Sequence, residues 1–156
     1  MEEQTQYKAE KIGGILTIFA GLVWIVIQLT SSRTINDITQ VTASLTAIIE
    51  NMHLFIINVA GKFVLIIVLV GISAIYYLML RTYRNILGHF ISFGMLATAM
   101  AFIVALAADL STFGLINEYQ VTTGMEQEML AINILSMLQF EMKALIIGKT
   151  LFALSL

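Results

Sequence analysis

The chain has 156 residues, 59% of them hydrophobic and 12% charged, with a formal net charge of −2 and a mean hydropathy of +0.92. Soluble domains carry about a quarter charged residues, so half that density in long uncharged runs implies an all-α polytopic membrane bundle in one domain, 1–156. The small net charge gives no footing for nucleic acid, and the absence of cysteine excludes disulfides, thiolate metal sites, iron–sulfur ligation and thiol redox catalysis.

The first uncharged run, Ile12 to Leu29, is long enough to cross a hydrocarbon core of roughly 30 Å at about 1.5 Å per residue. A cleaved signal peptide has a shorter apolar stretch and an A-x-A site after it, and neither is present here. Gly13, Thr17 and Gly21 recur every fourth residue, a spacing of small residues that lets helix backbones approach in lipid. Trp24 lies deep in this run and reads as packed against another helix.

From Ile38 the apolar residues step by three and four through Val41, Leu45, Ile48, Met52, Phe55 and Val59, which is a heptad stripe. No turn signal separates it from the uncharged run that ends at Leu80. The pattern predicts one long helix from about Asn36 to Leu80, with 36–54 projecting outside the membrane and 55–80 spanning it. A helix lying flat on the bilayer surface is the alternative. Such helices carry Lys or Arg on the polar face, and none occurs between Arg33 and Lys62, so projection is preferred.

The third span reads as 90–110, with Asp109 at its far end and a second small-residue face at Ala97, Ala101 and Ala105. The fourth reads as 130–156, interrupted by Glu141 and Lys143. A single helix over Met129–Leu156 is about 42 Å long, so it tilts or projects outward. Its beginning, from Met125, shows helical spacing of apolar residues, and the two outward extensions are expected to pack together. The chain stops in an apolar run without a charged tail, from which a longer natural chain is expected.

Lys and Arg set the orientation. Lys8 and Lys11 flank the first span and Arg81 and Arg84 follow the second, whereas Arg33 stands alone in one opposite linker and the other holds only Glu118, Glu126 and Glu128. The positive-inside rule then puts the N-terminus in the cytoplasm of a cell-membrane protein. The high isoleucine content suggests a prokaryotic source.

Ionisable residues inside apolar spans are costly and are paired or face a polar cavity. Asn58, Lys62, Asp109 and Glu141 are expected to form a polar cluster in the outer half of the bundle. It reads either as a structural ion pair that fixes helix register or as an ion path. Glu50 and His53 make a single Glu-x-x-His. A di-metal bundle needs two such motifs and two further carboxylates, so a solvated face is the better reading. His89 lies near the opposite membrane surface, which excludes paired haem ligation. Phosphate-loop, zinc-protease and nucleophile-elbow motifs are absent. No cofactor, metal or catalytic residue is expected.

The stretches AEKIGGILTIFAGLVWIV and YYLMLRTYRNILGHFISFGM resemble an uncharacterised prokaryotic family of multi-pass membrane proteins. The resemblance covers about half the chain and lies in the layout of spans. It implies further helices and carries no activity or site residues across. Small multidrug exporters share the four-span size, but they place a Glu in the first span, and none is found here. The expectation is a non-catalytic membrane subunit whose partners are lipid and other membrane chains or copies of itself. The alternative is a small ion or solute transporter or channel that uses the polar cluster.

Overall fold

The structure, a computed structural model, describes residues 2–34, 41–81 and 86–155. Five helices account for nearly all of them: α1 (Glu2–Thr34), α2 (Val41–Glu50), α3 (Met52–Arg81), α4 (Ile86–Val121) and α5 (Met125–Ser155). There is no strand among the described residues. The protein is an all-α bundle with four helices long and apolar enough to cross a membrane, over Lys11–Ser31, Met52–Leu78, His89–Val121 and Met125–Leu154. Large apolar side chains such as Ile18, Ile67, Phe93 and Ile147 cover the outside of these four helices, the pattern that lipid as solvent requires.

α3 packs between α1 and α4, and α4 packs along α5. Two apolar clusters are stacked along the bundle. The larger joins Ile27 of α1, Leu65, Leu69 and Ile72 of α3, Met95, Ala99, Phe102 and Ala105 of α4, and Ala144 and Leu145 of α5. The smaller, at the α2 end, joins Leu45 and Ile48 of α2, Phe55 of α3, Ile116 of α4, and Ala131, Ile134 and Leu138 of α5.

The expected continuous helix from Asn36 to Leu80 is broken. Asn51 separates α2 from α3, because its Nδ2 donates to the Ala47 carbonyl at 2.9 Å where its own backbone N–H also donates at 3.1 Å. Asparagine competes for backbone partners in this way and closes helices. The Asn51 carbonyl then accepts from Leu54 at 2.8 Å and Phe55 at 3.3 Å, which starts α3 with a tightened turn. α2 packs against α5 and shares the smaller apolar cluster with Ile116 of α4. Leu45, Ile48 and Phe55 of the heptad stripe are buried, while Met52 and Val59 pack at the edge of the same cluster. The stripe is thus spent on this chain's own helices. Ile38 lies outside the described residues, and Val41 begins α2.

A second feature is the length of α4. α4 continues twelve residues past Asp109, to Val121, or about 18 Å, so Asp109 sits within the helix and not at its end. The segment from Leu110 to Asn117 carries no charge, and Thr112 and Ile116 are buried. The α4–α5 turn is short, and Gly124 takes φ 75°, where a side chain is strained. Its carbonyl accepts from Glu128 at 3.3 Å, and Gln127 Nε2 donates back to the Tyr119 carbonyl at 3.2 Å, securing the end of α4.

Candidate functional site

Three helices present the same interior seam. The inward residues run Phe55, Asn58, Lys62, Leu65, Leu69, Ile72 on α3; Met95, Thr98, Phe102, Ala105, Asp109, Thr112, Ile116 on α4; and Ala131, Ile134, Leu138, Glu141, Leu145, Gly148 on α5. Each alternates steps of three and four, the spacing of a left-handed helical seam. Each seam carries one ionisable residue, and the three fall at one level. Lys62 Nζ donates to Asp109 Oδ2 at 2.6 Å and to Glu141 Oε1. Their side chains are 0%, 1% and 3% exposed, so water does not screen the pairing. Two carboxyl groups thus share one ammonium. Asp109 Oδ1 and the Thr112 hydroxyl, one turn apart on α4, are buried without a hydrogen-bond partner among the described residues.

Asn58 does not join this trio. Although it sits one turn from Lys62, its Nδ2 turns to α1 and meets the Ile27 carbonyl at 3.0 Å, Thr30 Oγ1 at 3.0 Å and Ser31 Oγ at 2.7 Å. An amide nitrogen has two protons for these three acceptors, so the contact is shared among them. It fixes the register of α1 on α3 where Gly61 permits close approach; a Cβ on Gly61 would lie 2.9 Å from Ile27 Cγ1. At the other end of the bundle, Ser73 and Ser92 exchange hydroxyl–carbonyl bonds at 3.0 and 3.1 Å and join α3 to α4.

The small-residue faces divide. Ala105 is fully buried, and Ala101 packs where Gly148 of α5 comes close, a Cβ on Gly148 lying 3.3 Å from the Ala101 methyl. Ala97 is half-buried beside them. Of the three on α1, Gly13 is buried, against Ile75 of α3, and Thr17 and Gly21 are exposed. From Gly21 the same side of α1 runs on through Trp24, Gln28 and Ser31. Trp24 wedges that side against its neighbours, edge-on to Phe102 at 5.3 Å and stacked on Phe152 at 6.5 Å between centroids.

Towards the α2 end from this wedge lies a cleft of about 220 Å³ between α1 and α5, lined by Gln28, Ser31, Glu141, Met142, Leu145, Ile146 and Lys149. Lys149 Nζ donates to Gln28 Oε1 at 3.3 Å and stands 5.6 Å from the centre of the Trp24 ring, within cation–π range. Its place in the cleft depends on how α1 and α5 meet, which spacing along one helix does not reveal. A second cavity of about 300 Å³, mostly apolar, lies between α3 and α4 beside Tyr77, His89 and Phe93. Glu50 and His53 are exposed on opposite sides of the Asn51 break. Glu118, Glu126 and Glu128 are exposed as well, and no group of three or more metal-ligating side chains occurs among the described residues.

No family model matches the chain, and no curated protein or solved structure matches it. The fold and the trio therefore make it an integral membrane helix bundle with a buried Lys–Asp–Glu cluster.

Proposed function

We propose that the chain is a non-catalytic membrane subunit that packs beside another membrane helix, from a second copy or a different chain, along α1. The observation that carries this reading is the one-sided packing of α1. Gly13, Ala20, Ile27 and Thr30 are buried, whereas Gly14, Thr17 and Gly21 lie open, and a Cβ built on Gly14 or Gly21 meets nothing within 4 Å. Small residues at this spacing are what membrane helices use to associate. The grouping of Lys8, Lys11, Arg81 and Arg84 on one side supports a cytoplasmic N-terminus in a cell membrane. Gly21→Leu tests the packing. It has room in the isolated chain, so the variant is expected to fold and to lose the stoichiometric association recovered from native membranes. Parent protein recovered as a lone monomer, or association untouched by Gly21→Leu, refutes it.

A second reading, an ion or solute transporter, is supported by the surplus carboxylate of the trio and by the polar cleft that reaches Glu141. Charged groups inside a membrane commonly line such paths. Purified protein in liposomes that exchanges ions or solutes, with Asp109→Asn folded but inactive, supports it. A folded, silent parent protein refutes it.

A further inference from the structure

We propose that the cleft between α1 and α5 is a water-accessible pocket for a small zwitterion with a short aliphatic skeleton. Its two ends carry groups of opposite charge, Lys149 and Glu141. At one end stands Lys149, whose contacts are a neutral amide oxygen at 3.3 Å and the face of Trp24; no carboxylate lies within ion-pair distance of it among the described residues. It is eight residues beyond Glu141 on α5, five residues before the end of the apolar Met125–Leu154 segment, where an ammonium calls for a counter-charge or water. At the other end is Glu141, whose oxygen has only a shared cation, the single ammonium of Lys62 that Asp109 also contacts. Met142, Leu145 and Ile146 form the apolar wall between them.

The nearest other charge on α5, Lys143, is exposed and lies two residues from Glu141, on a different helix face. On α1 the cleft is lined by neutral Gln28 and Ser31. A volume of about 220 Å³ has room for an amino-acid-sized molecule. Its carboxylate would face Lys149 and its ammonium the Glu141 end, with the carbon chain along Leu145. This assignment deepens the transporter reading, but its readout is binding alone. A pocket that binds without transport overturns that reading and leaves this one standing.

The chain has no cysteine, so Met142→Cys introduces a single thiol in the cleft, and Ile147→Cys introduces one on the exposed face outside it. Both variants are placed in phosphatidylglycerol nanodiscs and treated with a hydrophilic thiosulfonate. The Met142 position is expected to react and the Ile147 position to stay inert. 4-Aminobutyrate is the probe, with butyrate and butylammonium as matched single-charge controls. The zwitterion is expected to slow the reaction about fivefold at four times its dissociation constant, following 1 + [L]/Kd, and the controls to leave it unchanged. Lys149→Gln is expected to abolish protection and Lys149→Arg to restore it, with Trp24 fluorescence confirming that each variant is folded. An unreactive Met142 position, equal reaction at Ile147, protection by either control, or protection that survives Lys149→Gln overturns the proposal. So does blockage seen in phosphatidylethanolamine nanodiscs with no effect of soluble zwitterion, which would make a lipid headgroup the occupant.

Discussion

Replacing Lys62 with methionine keeps an unbranched side chain, one heavy atom shorter, and removes the one positive charge that two buried carboxylates share. Asp109 Oδ2 and Glu141 Oε1 both contact Lys62 Nζ, the former at 2.6 Å, so the two oxygens lie within about 5 Å of one another. Two negative charges at that distance repel by about 3 kcal/mol at an effective dielectric constant near 20. Removing one partner of a buried ion cluster typically costs about 3–5 kcal/mol, and Lys62→Met is expected to fall in that range. The triple variant Lys62→Met, Asp109→Leu, Glu141→Leu removes the whole cluster and is expected to match the parent or exceed it by about 1–4 kcal/mol. The single tryptophan reports unfolding in mixed micelles, since Trp24 lies against Phe102 and Phe152 and loses both when α1 separates. A Lys62→Met protein within about 1 kcal/mol of the parent would refute the reasoning, as would a triple variant less stable than the single one.

Gly61→Ala puts a methyl group 2.9 Å from Ile27 Cγ1 and is expected to cost about 1–3 kcal/mol by overpacking; added to Ile27→Ala, it should cost less than it does alone, in a double-mutant unfolding cycle. Gly124→Ala forces a side chain onto φ 75° and is expected to cost about 1–2 kcal/mol, while Gly14→Ala, with open space around it, should stabilise α1 by about 0.5–1 kcal/mol in the same assay. Asn58→Leu gives up the bonds to Ile27, Thr30 and Ser31 and is expected to cost about 1–2 kcal/mol, since interhelical bonds in lipid are individually modest. Thr123→Cys, in the exposed α4–α5 turn, should react on intact cells with an impermeant thiol reagent; reaction only after lysis would reverse the orientation proposed from the positive residues.

Much of the architecture is legible because lipid writes it into composition. Runs without charge mark the spans, and the structure places apolar helices over each of them. Lys62, Asp109 and Glu141 stand out in the sequence for the same reason. A stronger signal was available, since each occupies an inward position of a seam with steps of three and four. Depth was harder to read, as no charge between Asp109 and Glu118 marks where α4 leaves the apolar layer. The Asn51 break was hidden because it comes from a side chain closing on its own backbone, with no glycine or proline to announce it. The partner of Asn58 and the cleft at Lys149 depend on which face α1 turns to its neighbours, and periodicity along one helix does not encode that rotation.

The buried trio also constrains how the protein is made. Each of α3, α4 and α5 carries one of its charges, and a charge at the centre of an isolated membrane helix raises the cost of insertion by about 2.5–3.5 kcal/mol. During synthesis Lys62 enters first and meets a carboxylate only when α4 follows, which gives a neutral pair. Glu141 arrives later, with α5, at a site whose ammonium is already engaged. Insertion of α5 is therefore tied to docking against the helices already in place, and a chain halted before α5 would already hold a closed Lys62–Asp109 pair.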